Sequence, residues 1–536
     1  MATTPASSSP RSSFGSILRW LRPSHEHTAF SATLLLMSSV MLSRIIGFLR
    51  ETYIAHTFGA DPQTDAFVAA FTIPDWLNYL VAGGTVSITF ISIFTRYVSE
   101  KREADAQKAF SVVITVMTVV LGVGIVLAEI FTPQILGRYV DFKPQQLALC
   151  VYLTRILLPA QVFFYVGGVV SAVLLSRRLF LLPALGGIVY NLSIILGGVL
   201  LSSRLGIASL AYGALAGAII GPFLINALGA GRTGMRYRPS FEISNPGFRE
   251  WVRLSIPLML GVSLVAADDW IMRYFASGLA GDITRLNYAK KLFLVPIAVL
   301  GQASGQASLP FFARLFGEKK MREFAEIVNN SVYRVSAASL LASSWMMAAA
   351  LPFVDLIYRR GKFTWDDSQQ TALFFFWFAL SLVFWSAQGL YARGFYAAGN
   401  TLTPMLAGTV ITAASLPVYA ALFHSYLATG LTIASDIGIF AHTVTLAVLL
   451  HRKKLVMLGD MHWRELGKAL LVSAMAGAAS YFVSRTVNLN GRRLADIEAL
   501  ALVSLTWAGA VAAGLWITRS QLLNQLSRRG KSEAGS

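Results

Sequence analysis

Ser43-Arg44-Ile45-Ile46-Gly47-Phe48-Leu49-Arg50-Glu51 sits inside an apolar stretch that begins near Phe30. The stretch is long enough to cross the roughly 30 Å hydrocarbon core of a bilayer as a helix. Yet it carries two arginines and a glutamate. Each arginine at the centre of a membrane helix costs roughly 2.5–3.5 kcal/mol on insertion scales, so such residues face an aqueous cavity or one another. Arg44, Gly47 and Glu51 fall at i, i+3 and i+7, on one helical face. Arg50 points about 100° away from Glu51 at 3.6 residues per turn. The stretch therefore predicts a membrane helix beside a polar pathway, and with it a transport role.

The rest of the chain extends this reading. Of 536 residues, 55% are hydrophobic and 13% charged, and the mean hydropathy is +0.59. Soluble domains carry about 25% charged residues. Continuously apolar segments predict helices and not the alternating strands of a barrel. We count fourteen candidate spans, at 30–54, 66–95, 108–132, 148–174, 181–201, 207–229, 251–276, 284–313, 329–351, 370–397, 402–425, 430–450, 465–485 and 498–518. With the N-terminus placed in the cytoplasm, 28 Lys/Arg fall in or beside the tails and even-numbered loops, against 10 on the opposite face. That asymmetry predicts both termini on the cytoplasmic side. It also explains most of the net charge of +18, so nucleic acid is not an expected partner.

Shifting the chain by 222 residues brings Pro74 onto Pro296, Gly83 onto Gly305, Phe90 onto Phe312 and Phe94 onto Phe316. Proline-interrupted helices at matching positions of two halves point to a transporter site. The expected architecture is an all-α polytopic membrane protein. It has about fourteen transmembrane helices, in two six-helix lobes related by a pseudo-two-fold axis, plus two C-terminal helices. The expected boundaries are 1–29 for a disordered cytoplasmic tail, 30–230 for the N-lobe, 250–450 for the C-lobe, 464–520 for the two extra helices and 521–536 for a second cytoplasmic tail.

The intramembrane ionisable residues carry the chemistry. Asp65 opens the second span, within reach of Arg50 if the intervening loop folds back. The seventh span has Asp268, Asp269 and Arg273, with Asp269 and Arg273 spaced to pair. The eighth has Lys290 and Lys291. Arginine binds phosphate oxygens in bidentate fashion and stays charged in any environment. These residues together predict a cationic central cavity for an anionic substrate: Arg44, Arg50, Glu51, Asp65, Arg273, Lys290 and Lys291. Asp268 and Asp269 could instead bind a cation. Asp366-Asp367 reads as a solvated outer loop, and paired glycines at 167–168, 186–187 and 197–198 read as close helix packing. One cysteine, Cys150, excludes an internal disulfide. No P-loop, zinc or nucleophile-elbow motif occurs, so no catalytic residue and no cofactor is expected. Ion coupling or the membrane potential is the expected energy source.

The run from Ser43 to Glu51, then Phe58-Gly59-Ala60, Thr64-Asp65-Ala66-Phe67, Ala70-Phe71 and Pro74, resembles the N-terminal signature of the MurJ/MviN family. Thr154-Arg155-Ile156 with Pro159, Tyr288-Ala289 with Leu292 and Pro296, Gly361-Lys362-Phe363, and Arg393 through Pro404 keep the family's order and spacing. These are lipid II flippases of the multidrug/oligosaccharidyl-lipid/polysaccharide exporter superfamily, acting in peptidoglycan biosynthesis at the bacterial inner membrane. The resemblance implies an undecaprenyl-pyrophosphate-linked substrate moved between leaflets by alternating access, with cell-wall synthesis proteins as candidate partners. It implies that Arg44, Arg50 and Asp65 are cavity positions, that Glu51 stands for the family's Asp, and that Lys291 stands for an arginine. Departures fall at Asn78-Tyr79, where the family has Leu-Arg, at Ala82-Gly83-Gly84-Thr85, and at Lys290, where it has Asp. They leave open a flippase for another polyprenyl-linked glycan, such as a capsule or O-antigen unit, and more remotely a membrane glycosyltransferase using Asp366 and Asp367.

Overall fold

In the computed structural model, residues 29–82, 85–177, 179–260, 264–489 and 491–522 are described, and the secondary structure among them is helical throughout. Gly83, Gly84, Arg178 and most of the two terminal tails lie outside the described residues. The first half comprises α1 (Ala29–Phe58), α2 (Pro62–Ala69), α3 (Thr72–Ala82), α4 (Thr85–Ser99), α5 (Glu103–Tyr139), α6 (Pro144–Leu157), α7 (Ala160–Ser176), α8 (Leu181–Leu205), α9 (Ala208–Ala218) and α10 (Asn226–Arg232). Then come α11 (Pro246–Leu260), α12 (Leu264–Ala276), α13 (Asp282–Pro296), α14 (Ser304–Gly317), α15 (Met321–Tyr358), α16 (Trp365–Leu380), α17 (Leu382–Ala397), α18 (Leu402–Arg452), α19 (Trp463–Ser484) and α20 (Arg493–Ile517).

Among the described residues nine helical runs are long and apolar enough to cross a membrane, and the bent pair α16–α17 makes a tenth. Every expected span falls on helix, but several are broken. Span 66–95 is divided between α2 and α3 at Ala70 and Phe71, while residues 83–84 of that span and 261–263 of span 251–276 lie outside the described residues. The 51-residue α18 is interrupted at Leu427, whose φ of 51° no helix accommodates, between the two spans read there. Prolines account for other irregularities. Pro159 stands at the α6–α7 break, and π-helical turns follow Pro296 and surround Pro222, because a proline removes a backbone donor and crowds the preceding turn.

Large apolar side chains stand exposed along the outer flanks: Val123, Val126 and Ile130 on α5, Leu200 on α8, Leu505 and Trp516 on α20. Such faces suit lipid, which leaves backbone groups paired inside each helix. Hydrophobic burial does not drive helices together in lipid, so close packing through small residues must. The α8–α9 contact shows this. A Cβ on Gly197 would lie 2.8 Å from the Gly213 Cα, so only glycine permits the approach.

Helices of the first half pack chiefly on one another, and so do those after α12. The chain changes sides within one expected span: α11 packs on α4 and α5, whereas α12 packs on α18. The repeat has a structural counterpart. Pro74 and Pro296 both lie at helix irregularities, and Phe90 and Phe312 are both fully buried.

The two halves touch at both ends of the bundle. Near the α1–α2 turn, the Lys362 N–H donates to the His56 carbonyl over 3.0 Å. Gly361, at φ 62°, lies so close to that carbonyl that no Cβ fits. At the far end Arg96 on α4 grips Glu250 near the start of α11 at 2.9 and 2.5 Å. The guanidinium holds the Glu250 carboxyl below its ordinary value of 4.5 by hydrogen bonding.

Candidate functional site

Between the halves lies a cavity of about 520 Å³. Helices α1 and α3 bring Arg50, Glu51, Asp75, Asn78 and Tyr79 to it from one side. Helices α12 and α13 bring Asp269, Trp270, Arg273, Tyr288 and Lys291 from the other. An interruption at Ala70 and Phe71, just ahead of Pro74, separates α3 from α2, and Arg273 on α12 reaches across to Asp75 of the first half.

The charges are arranged in pairs. Arg50 contacts Glu51 at 2.5 Å and donates to the Asn191 side-chain Oδ1 at 2.8 Å. Arg273 reaches Asp75 at 2.8 Å. The expected Asp269–Arg273 pairing within α12 gives way to this contact between halves, because Lys290 occupies Asp269 at 2.6 Å. Lys291 is exposed to the cavity, and among the described residues no ion pair or hydrogen bond engages it. The described lining therefore holds three cations (Arg50, Arg273, Lys291) and three carboxylates (Glu51, Asp75, Asp269). The cavity is charged and close to balanced, where the sequence predicted a cationic excess.

Four other expectations change. Asp65 does not reach Arg50 or the cavity. It is 1% exposed and caps α13, accepting from the Gly281 N–H at 2.5 Å, the Thr284 N–H at 2.9 Å and the Thr284 hydroxyl at 2.7 Å. Its own helix α2 starts at an Asp61–Thr64 capping box followed by Pro62, which aims Asp65 at that helix end. Arg44 lies outside the cavity lining and donates to Gln302 at 3.1 Å. Lys290 is buried and bridges Asp268 and Asp269, so its ammonium occupies the place suggested for a bound cation. Among the described residues no group of three or more His, Cys, Asp or Glu is placed to hold a metal ion. Asp367 is not a solvated loop residue: it closes a capping box with Thr364 and binds Arg285 at 2.7 Å, while Asp366 stays exposed.

Asp75 and Trp270 were missed in the sequence. The signal for Asp75 was an acidic residue one place after an intramembrane proline, the same kind of feature that singled out Arg44. Trp270 gives none, since an apolar helix is full of aromatic residues. It stands edge-on to Tyr79, with ring centroids 5.5 Å apart, so the two halves touch along the cavity wall.

A helical bundle whose two halves meet around a charged intramembrane cavity, with lipid-facing flanks, has the architecture of a multi-pass membrane transporter. The family model "Lipid II flippase MurJ" matches residues 54–493, and the chain belongs to that family. The lipid II flippase MurJ of Burkholderia cenocepacia is 26% identical over 510 residues, covering 91% of this chain and 97% of its own. The probable lipid II flippase MurJ of Buchnera aphidicola is 27% identical over 429 residues, covering 78% and 83%. Among solved structures, a lipid II flippase MurJ in an inward closed conformation superposes with a TM-score of 0.75 at 21% identity, over 90% of this chain and 99% of that one. An inward-facing multidrug resistance MATE family transporter of the MOP superfamily superposes with a TM-score of 0.63 at 12% identity, over 78% and 98%.

Proposed function

We propose that the chain flips undecaprenyl-pyrophosphate-linked peptidoglycan precursor, lipid II, from the inner to the outer leaflet of the bacterial cytoplasmic membrane. Two lobes, 30–230 and 250–450, rock about the cavity, and both termini face the cytoplasm. The observation that carries this reading is the cavity itself, with Arg50 from one half and Arg273 and Lys291 from the other, in a chain of this family. A pyrophosphate adds negative charge to a nearly balanced lining. It is held by the unpaired Lys291 first, and by the two arginines as their carboxylates are displaced. An arginine fork can donate to phosphate and carboxylate oxygens at once. Glu51 and Asp75 hold the guanidinium groups in place and limit repulsion between them when no substrate is bound.

No ATP-binding motif is needed in this scheme. A membrane potential of 100 mV supplies about 2.3 kcal/mol per charge moved.

The test is rescue of a flippase-depleted bacterium by the unmodified gene and by Arg50→Ala, Arg273→Ala and Lys291→Ala variants of equal membrane abundance. The reading expects rescue by the first and failure of the arginine variants. Full rescue by every variant overturns the assignment of the cavity. A second reading, a flippase for another polyprenyl-linked glycan, draws on Asn78. Asn78 and its neighbour Tyr79 line the cavity where the resemblance places a Leu-Arg pair. Failure of the unmodified gene to rescue, at normal abundance, favours it.

A further inference from the structure

Asp436 lies about two to three turns past the Leu427 kink, in the second half of α18. It is 8% exposed, and neither carboxylate oxygen has a hydrogen-bond partner. Buried polar groups are ordinarily partnered, and an isolated ionised carboxylate in a low-dielectric interior neutralises itself by taking a proton. The residue makes none of the contacts of a structural ion pair.

Among the described residues three groups bear on it. Asp268 of α12 acts on it through space, Tyr419 of the first half of α18 lies beside both, and the Ser381 hydroxyl stands at the α16–α17 bend. Asp268 is fully buried and is held by the Tyr419 hydroxyl and by Lys290. Lys290 extends the connection, since it also contacts Asp269 at 2.6 Å, and Asp269 lines the cavity with its side chain 50% exposed. A contacting series of ionisable groups therefore runs from cavity water through Asp269 and Lys290 to Asp268, and Asp436 lies beyond it within electrostatic reach of Asp268.

We propose that Asp436 is a proton-binding site, loaded and unloaded through this series. On release the Asp436 side chain turns toward the Asp268 carboxylate and gives it the proton. The Lys290 ammonium hands a proton to Asp269 and takes the one arriving on Asp268. Asp269 then gives its proton to cavity water. Every group except Asp436 ends as it began, and one proton has left. Chains of intramembrane carboxylates and amines are the usual form of proton relays in pumps and transporters.

The site also connects to the substrate, a step that rests on the function proposed above. An anion that draws Lys290 or Arg273 toward itself leaves Asp268, Asp269 and Asp436 with less compensating charge, which favours protonation. Anion and proton then bind cooperatively, each strengthening the other by the same factor.

The primary test needs no ligand. The full-length protein in lipid nanodiscs is titrated while its infrared difference spectrum is recorded in the carbonyl region of protonated carboxylic acids. The wild type is expected to show a titrating band that is absent in Asp436→Asn and present, shifted, in Asp436→Glu. His442→Asn, which removes another buried titratable group of the same helix, should leave the band unchanged. A spectrum of Asp436→Asn identical to the wild type overturns the proposal. A second measurement follows the affinity for undecaprenyl pyrophosphate against pH. One linked proton weakens binding by up to about tenfold per unit of rising pH in the wild type, and Asp436→Asn abolishes the slope. Binding without a slope in the wild type refutes the linkage. Absence of binding at every pH refutes the proposed function and leaves the infrared result to decide the proton site.

Discussion

Replacing Asp65 separates its capping role from a role in binding. The Asp65 carboxylate accepts three hydrogen bonds, two from Thr284 and one from Gly281, and is almost fully buried. Asp65→Ala removes all three and leaves two backbone N–H groups at the start of α13 without partners. A hydrogen bond to a charged group is worth about 1.5–3 kcal/mol, but burying the carboxylate has its own cost, and loss of an N-cap residue costs about 0.5–2 kcal/mol. The balance is a loss of roughly 2–4 kcal/mol on those two magnitudes. Asp65→Asn keeps an oxygen for both Thr284 bonds but turns an amide toward the Gly281 N–H. It loses one bond, about half the full effect. Thermal unfolding in detergent should rank wild type above Asn above Ala, and amide exchange at Gly281 and Thr284 should quicken in the same order. Affinity for a pyrophosphate lipid should stay within about twofold among folded variants, because Asp65 lies outside the cavity. An Asp65→Ala protein as stable as the wild type, or one stable but unable to bind, would refute this assignment.

Lys291→Ala should weaken binding of a pyrophosphate lipid by about 10- to 100-fold, the loss of one charge-assisted contact, with no change in unfolding temperature. Equal affinities measured by titration would exclude Lys291 from the site. Gly197→Leu should destabilise the α8–α9 contact by about 1–3 kcal/mol through overpacking, and an unchanged unfolding temperature would contradict the close approach to Gly213. The Arg96–Glu250 contact should respond to acid. Its carboxyl is held below 4.5, so the stabilisation is complete above that value and is lost as the pH falls through the lowered one. Spin-label distances between the end of α4 and the start of α11 should therefore be constant near neutrality and lengthen in strong acid. The same distances in Arg96→Ala should not change with acidification. Because the pair is exposed, its contribution is small, below about 1 kcal/mol.

Several features were legible from the residues alone. The apolar segments and the Pro74–Pro296 correspondence are local or periodic signals, and the tertiary structure adds little to them. Arg50, Glu51, Arg273 and Lys291 were found because charge in an apolar helix is expensive wherever it points. Partners were not legible in the same way. Asp65 and Arg50 are close in sequence, yet Asp65 turns to α13. Asp269 and Arg273 have ideal helical spacing, yet each prefers a residue of another helix.

What the sequence by itself determined is therefore the presence of a helical membrane bundle and the identity of most of its intramembrane charges, since both follow from the cost of placing residue types in hydrocarbon. What only the tertiary structure decided is how those charges are matched: Arg273 with Asp75, Lys290 with Asp268 and Asp269, Asp65 with a helix end, and Lys291 with none among the described residues. The physical reason is that an ion pair depends on a separation of a few ångströms. Helix breaks and glycine contacts far away in sequence set that separation, and it shifts the cavity from an expected cationic excess to a near balance.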